Sequence, residues 1–373
     1  MAVARALTLP LGELGTLKRR VTALAENRPA IYRMLDPART VVYVGKAKRL
    51  RARLLSYFRA RYPEDKAARI LQATADIEWD YVPSEFAALL EELRQIRRHR
   101  PVFNVRMNRT RSAAFIKVSG GLAPKIYVGR NPGTHAVRHY GPFLGAGRLH
   151  EGIRILNDLL GLRDCAVKMP IAFRDQGDLF ESRGRAGCLR YELGTCLGPC
   201  GGFVTEREYR ERTDTAVAFI EGRSLVPIDR VIAGMVEASD QQDFERATWW
   251  RDKFDALTWL LAACTRMHAT LDSMSFVFVD PGVYGDDRAY VIRHARVRAS
   301  APAPRTPIEI EAFHSLVEEH AGVTTAPGPI PQPAIDETLL VLSWFRRHPA
   351  ALRRATRLED WLEQHRPIGF VPC

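Results

Sequence analysis

A hairpin pattern near the N-terminus constrains the fold of this chain more than any other feature. Residues 30–35 have the composition of a strand, Asp36-Pro37 is a turn signal, and residues 40–44 form a β-branched second strand. Residues 77–82 alternate between apolar and polar side chains as a third strand does. The sequence therefore predicts a small unit of mixed strands and helices built on this hairpin.

An amphipathic helix pattern follows the hairpin. Leu50, Leu54 and Phe58 recur at the spacing of one helix face. The other face and the residues just before it are basic, with Lys46, Lys48, Arg49, Arg51 and Arg53. We expect this helix to present its basic side chains to a ligand or to solvent.

A second helix pattern begins at Ser84, a predicted N-cap, and ends before Pro101. Its apolar stripe consists of Phe86, Leu89, Leu90, Leu93 and Ile96. At about 100° per residue, Glu91 points away from this stripe, whereas Glu92 lies roughly a quarter-turn from its centre. We therefore expect Glu91 to be a solvated surface acid and Glu92 to lie at the rim where the helix meets the sheet.

Positive charge is concentrated in the first third of the chain. Residues 1–111 hold 23 of the 55 Lys and Arg residues but 11 of the 43 acids, whereas the remaining residues carry no net charge. A concentrated basic surface gains free energy from counterion release at phosphates, so the natural partner is a nucleic acid. A basic surface with no partner is the alternative.

Several classes of protein are excluded by what the sequence lacks. It has no run of roughly 18 or more apolar residues, so we expect no membrane span. Residues 1–10 lack the apolar core of a secretory signal, which favours a cytoplasmic protein. A phosphate-binding loop of the G-x-x-x-x-G-K-[ST] type is also absent, which excludes a nucleotide-driven motor of the P-loop class.

The two hairpin strands carry motifs that resemble the signature of GIY-YIG endonucleases: Ala30-Ile31-Tyr32 on the first and Tyr43-Val44-Gly45-Lys46-Ala47-Lys48 on the second. Arg53 follows ten residues after Tyr43, and Glu92 precedes Asn104 by twelve residues. The Gly-Lys-Ala-Lys run and the Arg-Pro-x-Phe-Asn ending resemble more narrowly the nuclease domain of the UvrC and Cho excinucleases. One departure is Ala30, which stands where the family has a glycine.

The resemblance implies a role for each of these residues in phosphodiester hydrolysis. Tyr43, beside Lys46, would act as the base, because a nearby ammonium favours a deprotonated phenol. Tyr32 would bind the same water or exchange roles with Tyr43. Arg53 would hold the scissile phosphate, and Glu92 would bind Mg²⁺ or Mn²⁺. The remaining phosphate-binding or DNA-binding positions would be Lys48, Arg49, Tyr57 and Asn104.

Four of the six cysteines crowd into one segment: Cys165, Cys188, Cys196 and Cys200. Six cysteines are too few for a disulfide scaffold, and their clustering favours a metal site. The segment resembles the cysteine region of UvrC, which implies an iron–sulfur cluster. Four thiolates suit either [4Fe–4S] or tetrahedral zinc, so the spacing leaves both open, together with four reduced structural thiols.

Residues 235–252 resemble the UVR helical hairpin, by which UvrC docks on the helicase-like subunit UvrB. The resemblance implies that Phe244 is an apolar anchor. Polar contacts would come from Glu245, Arg251 and Asp252. A generic antiparallel helix pair fits the same pattern.

The later part of the chain carries less information. Asp280, Asp286 and Asp287 lie among Gly and Pro residues, and this context is typical of turn formers rather than of a catalytic acidic cluster.

The whole sequence predicts an α+β chain with six segments: a leader helix (1–27), a GIY-YIG nuclease domain (28–110), connecting strands and a helix (111–164), a cysteine-rich cluster region (165–202), a helical region with the UVR-like hairpin (203–268), and a mixed C-terminal extension of unknown role (269–373).

The function predicted from the sequence is that of a metal-dependent DNA endonuclease of the short UvrC type. It would make a single incision in damaged double-stranded DNA during nucleotide excision repair, together with a UvrB-like helicase subunit. A non-catalytic adaptor that binds DNA and the helicase is the alternative, which Ala30 keeps open. A third interpretation adds a proofreading-type exonuclease supplied in trans.

Overall fold

The computed structural model of the chain describes residues 11–104, 113–130, 136–143, 145–175, 188–321 and 327–366. It divides into two compact units. The first unit consists of Met1–Thr110, Met274–Thr324 and Asp336–Cys373, and the second of Arg111–Ser273 and Thr325–Ile335. Residues 1–10 of the predicted leader and 105–110 of the predicted nuclease domain lie outside the described residues.

The N-terminal part of the first unit is a three-stranded antiparallel sheet with helices around it. Its elements are α1 (Leu11–Leu24), β1 (Ala30–Leu35), β2 (Val41–Ala47), α2 (Leu50–Tyr57), α3 (Lys66–Gln72), β3 (Asp76–Tyr81) and α4 (Glu85–His99). The strand order is β2-β1-β3, and Tyr32 in the middle strand pairs with Gly45 on one side and Trp79 on the other. The hairpin, the third strand and both helices predicted from the sequence are confirmed, whereas α3 was not predicted.

Helix α4 begins where the sequence indicates, because the Ser84 hydroxyl accepts the backbone N–H of Ala87 at 3.0 Å. It has two buried faces rather than the single apolar stripe that was expected. Ala88 and Ile96 pack against the sheet residues Ile31 and Val44. Phe86 points to the other side and is fully buried.

The second unit combines a small sheet with a group of helices. It contains β4 (Ala114–Ser119), β5 (Ile126–Gly129), β6 (Ala136–Phe143), α5 (Gly147–Leu160), α6 (Leu189–Glu192), α7 (Glu206–Ile220), α8 (Val226–Asp240) and α9 (Phe244–Ser273), with strand order β5-β4-β6. Helices α8 and α9 pack against each other as the predicted two-armed hairpin. Their close approach requires Gly234, since a Cβ there would lie 2.5 Å from the Trp250 ring.

The later part of the first unit, residues 274–324 and 336–373, is here called the C-terminal lobe. Its elements are β7 (Phe276–Asp280), β8 (Arg288–Arg293), β9 (Arg296–Pro302), α10 (Pro307–Ala321), α11 (Ile335–Arg347), α12 (Pro349–Arg353), β10 (Thr356–Arg357) and α13 (Leu358–Gln364), in a sheet of order β10-β7-β8-β9. The predicted nuclease domain and most of the predicted C-terminal extension therefore fall within one compact unit, whereas residues 269–273 and 325–335 of the extension belong to the second unit. Among the described residues, no helix is both long enough and apolar enough to cross a bilayer.

The three aspartates of the lobe do not behave alike. Asp287 accepts the backbone N–H of Gly282 at 2.9 Å, and Asp286 accepts that of Tyr284 at 3.2 Å, so both stabilise a turn as predicted. Asp280 is not a loop residue: it ends β7, is 7% exposed and accepts a hydrogen bond from the Ser84 hydroxyl. The expectation of a turn former was wrong for Asp280, because the partner that buries it is distant in sequence.

We predict that Gly45→Ala destabilises the first unit. A Cβ at Gly45 would lie 2.5 Å from Cζ and Oη of Tyr32 and 2.9 Å from Cε1 of Tyr43, so both rings must move. Overpacking of this kind costs about 1–3 kcal/mol, which urea unfolding would measure. Gly15→Ala is the matched control, because nothing lies within 4 Å of that site and alanine favours a helix. Equal unfolding midpoints for the two variants would contradict the prediction.

Candidate active site

An open cleft of about 380 Å³ lies between α2, α3 and α4 at the edge of the first sheet. Its lining combines three aliphatic helix positions with six polar side chains: Tyr43, Arg53, Tyr57, Lys66, Glu92 and Asn104. Five of these six are residues singled out from the sequence. The structure therefore brings together side chains that are up to 61 positions apart, from Tyr43 to Asn104.

Three tyrosines meet beside the cleft. Their ring centroids lie 6.1 to 6.3 Å apart, and the hydroxyls of Tyr32 and Tyr57 share a hydrogen bond of 2.9 Å. Tyr32 is fully buried, and burial raises its pKa to about 12. Burial also raises the pKa of Tyr57. Of the two hairpin tyrosines, Tyr43 lines the cleft and is half-buried, so it is the one that a water in the cleft can reach.

Arg53 connects the tyrosine cluster to the cleft. Its Nε donates to the hydroxyl of Tyr32 at 3.3 Å, and its guanidinium carbon lies 5.2 Å from the ring centroid of Tyr57. These two contacts hold the guanidinium in one orientation while its terminal nitrogens keep donors for a ligand. A guanidinium held in this way suits a phosphate.

Glu92 stands on the sheet side of α4, in the row formed by Ala88 and Ile96. Burial raises the pKa of its carboxyl, while the positive charges of Lys46 and Arg53 and a hydrogen bond from the Lys46 backbone oppose that rise. Glu91, by contrast, accepts a hydrogen bond from Gln95 at 2.7 Å and lies 3.7 Å from Arg94. The structure thus places Glu92 in the cleft and Glu91 among helix-surface partners, as the helix phase indicates.

The lysine in the cleft is Lys66, which the sequence did not reveal. Its Nζ donates to the carbonyl of Phe103 at 2.6 Å and lies 6.0 Å from the ring centroid of Tyr43. Lys46 instead lies 3.8 Å from Glu85, because positions 43 and 46 face opposite sides of a strand. The predicted pairing of Lys46 with Tyr43 is therefore corrected. Lys66 was missed because the region around α3 carries no clear helix periodicity.

The remaining residues predicted to bind phosphate either lie outside the cleft or already form hydrogen bonds within the protein. Lys48 is exposed and pairs with Glu85 at 2.5 Å, and Arg49 is an exposed residue at the start of α2. Asn104 accepts the backbone N–H of Val44 at 2.9 Å and donates to its carbonyl at 2.8 Å. Both ends of that amide orient β2, so Asn104 supports the strand that carries Tyr43.

The four predicted cluster cysteines all lie in the second unit. Cys196 is buried, whereas Cys165, Cys188 and Cys200 are half-buried. Burial raises the pKa of Cys196 and of Cys200, and the neighbouring thiols raise both further. The thiols are thus close enough to interact electrostatically.

Two of these four sulfurs accept hydrogen bonds. Arg163 donates to Sγ of Cys165 at 3.4 Å, and the backbone N–H of Gly198 donates to Sγ of Cys196 at 3.5 Å. Within the described part of the chain, however, no three His, Cys, Asp or Glu side chains are close enough to hold a metal ion. The donor chemistry fits a thiolate-bound metal, whereas the described side chains are not arranged as a metal site.

The predicted docking residues lie on the first three turns of α9, which follow the turn between α8 and α9. Phe244, the first residue of α9, is 72% exposed, and Glu245, Arg251 and Asp252 are exposed as well. Trp249 is 53% exposed, with the ammonium of Lys253 3.9 Å from its ring centroid. The hairpin therefore presents aromatic surface among charged side chains.

Comparison with known proteins matches two consecutive regions. Residues 28–105 match the sequence model of the UvrC-like GIY-YIG domain, and residues 113–219 match that of the UvrC/Cho excinuclease middle domain. The UvrABC system protein C of Hydrogenovibrio crunogenus is 35% identical over 62% of this chain. The protein of that name from Pseudomonas savastanoi pv. phaseolicola is 33% identical over 70% of the chain.

The chain spans 36% of the first of these relatives and 41% of the second. Similar solved structures include the GIY-YIG N-terminal endonuclease domain of UvrC from Thermotoga maritima, bound to magnesium as its catalytic divalent cation. That domain is 32% identical, and the match covers 24% of this chain and 97% of that chain with a TM-score of 0.22. Residues 28–105 therefore carry a UvrC-like GIY-YIG domain, and residues 113–219 carry the middle domain of UvrC/Cho excinucleases.

Proposed function

We propose that the chain is a metal-dependent DNA endonuclease that makes a single incision beside damage in double-stranded DNA during nucleotide excision repair. The observation that carries this proposal is the cleft in which Tyr43, Arg53 and Glu92 meet. A base, a cation for the phosphate and a carboxylate for a metal are the three groups that phosphodiester hydrolysis requires. The net positive charge of residues 1–111 supports DNA as the substrate.

Each cleft residue has a distinct part in this reaction. Tyr43 in its phenolate form orients the attacking water and accepts its proton, becoming the neutral phenol, because it is the hairpin tyrosine that lines the cleft. Arg53 and Lys66, from two different helices, contact the non-bridging oxygens of the scissile phosphate. Tyr32 and Tyr57 do not exchange protons with the substrate; they hold Arg53 in place.

Glu92 would hold the divalent cation, Mg²⁺ or Mn²⁺, which stabilises the negative charge of the departing oxygen when bound. The fit rests on the chemistry of the site. Among the described residues that line the cleft, Glu92 supplies the carboxylate, and hard cations of this kind bind through one or two carboxylates while keeping several waters. Burial makes the ionised carboxylate costly by itself, so a bound cation would offset that cost.

The test is incubation of the full chain with a lesion-bearing duplex and Mg²⁺ or Mn²⁺, with and without a UvrB-like loader, followed by mapping of any nick. We expect Glu92→Gln to lower the nicking rate at least about a hundredfold, because a metal supplies several kcal/mol of transition-state stabilisation. DNA affinity and thermal stability should stay close to wild type. Glu91→Gln is the matched control and should nick normally. An essential Glu91 with a dispensable Glu92 would overturn the assignment.

The same nicking assay tests the alternative hypothesis, in which the chain is a non-catalytic adaptor. Ala30 is fully buried at the start of β1, where it pairs with Ala47 and Tyr81. The methyl group is thus accommodated within a regular strand, which supports a competent site. No nicking by the wild-type chain under any of the metal and loader conditions, combined with retained binding of DNA and loader, would establish the adaptor.

We also propose that Cys165, Cys188, Cys196 and Cys200 bind a [4Fe–4S] cluster, with a zinc ion as the alternative. Four thiols in one region support this proposal, and so do the hydrogen bonds that Arg163 and Gly198 donate to two of the sulfurs. Holding either group requires the side chains to rearrange, since the described residues do not form a metal site as they stand. Such movement would couple binding to local folding.

Protein purified without oxygen should therefore be brown and contain about four iron atoms per chain. Cys196→Ala should lose both the colour and the iron, and should unfold at a lower temperature. Cys264→Ala is the matched control, because this buried thiol lies on α9 outside the segment and should leave the iron content unchanged. Colourless protein with one zinc per chain would establish zinc instead, and metal-free protein would reject both.

The partner we propose is a UvrB-like helicase subunit, docked on the α8–α9 hairpin through Phe244, Glu245 and Arg251. The exposed Phe244 ring among charged side chains supports a protein contact. Phosphate-driven binding by a basic surface carries no information on the position of damage, so targeting would come from this partner. An exonuclease in trans has no support among the described residues.

Phe244→Ala should abolish lesion-directed incision at physiological salt while leaving residual nicking at low salt. Loss of an interfacial aromatic anchor should weaken the loader complex by about 2 kcal/mol or more, as measured by calorimetry. Ile308→Ala is the matched control, since that side chain is 79% exposed on α10 and has no assigned contact. Lesion-specific cutting that survives Phe244→Ala would contradict the docking surface.

A further inference from the structure

The C-terminal lobe packs on the face of α4 that is turned away from the sheet. We propose that this lobe is a positioning element of the nuclease site, which holds α4 so that Glu92 stays in the cleft. The inference rests on the proposed function for the role of Glu92. It assigns a role to a part of the chain that lies beyond both matched family domains.

Polar contacts join the lobe to the start of α4. The Ser84 hydroxyl accepts the N–H of Ala87 at 3.0 Å and donates to the buried carboxylate of Asp280, so one side chain both caps the helix and binds the lobe. One residue earlier, the carbonyl of Pro83 accepts the backbone N–H of Val283 at 3.1 Å. The first turn of α4 is therefore fixed by two hydrogen bonds to the lobe.

Apolar packing extends this contact along the helix. Phe86 is fully buried, and its neighbours are aromatic rings of the lobe. The centroid distances from Phe86 are 5.1 Å to Tyr290, 5.4 Å to Trp344, 5.7 Å to Phe278 and 5.9 Å to Phe345. Such rings interdigitate at the density of a domain core, so they permit little sliding of the helix.

An ion pair lies near the other end of α4, where Arg97 approaches Asp336 at 3.5 Å. The lobe thus contacts the helix near both ends, and Glu92 lies between these contacts. On the opposite face, Ala88 and Ile96 pack against the sheet. The helix is therefore held from two sides, and removal of one side would let Glu92 shift relative to Tyr43 and Arg53. Displacements of about 1 Å are enough to impair catalysis.

Phe345→Ala in the full chain tests this role, because Phe345 touches Phe86 and also packs on Phe276 and Phe278. In metal-free protein, we expect amide hydrogen exchange in peptides covering 85–99 to become about tenfold faster. We also expect severalfold weaker Mn²⁺ binding by electron paramagnetic resonance. DNA affinity without metal should be unchanged, since Phe345 packs on the rings of Phe86, Phe276 and Phe278, which lie outside the basic helix α2.

Phe313→Ala is the matched control. Phe313 is as well buried in the same lobe, 3% exposed against 1% for Phe345, but it packs on Trp361 at 5.2 Å within a different cluster. This variant should lower the melting temperature while leaving exchange in α4 and Mn²⁺ binding close to wild type. If Phe345→Ala does not fold, Phe345→Leu keeps most of the apolar volume and should show the same pattern at smaller amplitude.

Two results would overturn the inference: unchanged exchange in α4 for both Phe345 variants, or equal effects of Phe313→Ala and Phe345→Ala on α4 and on Mn²⁺. Failure of the proposed function has a different signature. In that case the wild-type chain would neither nick DNA nor bind Mn²⁺, while faster exchange of α4 in Phe345→Ala would still show that the lobe holds the helix.

Discussion

Burial of α4 on two opposite faces is the constraint on which the first unit depends. One face covers the hairpin sheet through Ala88 and Ile96, and the other inserts Phe86 among the rings of the C-terminal lobe. A helix packed through one apolar stripe is held by one set of interdigitating side chains, whereas a helix packed on both faces is held by two, which together fix its position. That position places the Glu92 carboxylate beside the cleft and leaves Glu91 at the surface.

In the cleft, burial and nearby positive charges have opposite effects on the ionisation of one acid, Glu92. Burial disfavours the charge of Glu92, and the positive charges of Lys46 and Arg53 favour it. Tyr32 contributes no charge of its own, because burial raises its pKa to about 12, and it acts instead as a hydrogen-bonded support for Arg53. The site is therefore arranged around a preformed positive surface, which is the electrostatic requirement for binding a phosphodiester.

Local patterns predicted the parts of this site that are set by local geometry. Strand composition located the hairpin that carries Tyr32 and Tyr43, and the helix period separated Glu92 from Glu91. The sequence patterns could not predict the tertiary contacts of the two lysines. Lys66 lines the cleft from a short helix with weak periodicity, and Lys46 lies near Glu85 because strand side chains alternate. The burial of Asp280 depends on Ser84, which no local signal connects to it.

The hydrogen bond between Ser84 and Asp280 joins residues 196 positions apart, and residues 111–273, the larger segment of the second unit, lie between them in the chain. A ribosome therefore releases the hairpin sheet and α4 long before it makes the strands that complete their core. During that interval Phe86 lacks the aromatic partners that the C-terminal lobe supplies, and the second unit still lacks its last segment, residues 325–335. Completion of the first unit must wait for a contact of high sequence separation, which makes this closure a slow and late event in folding.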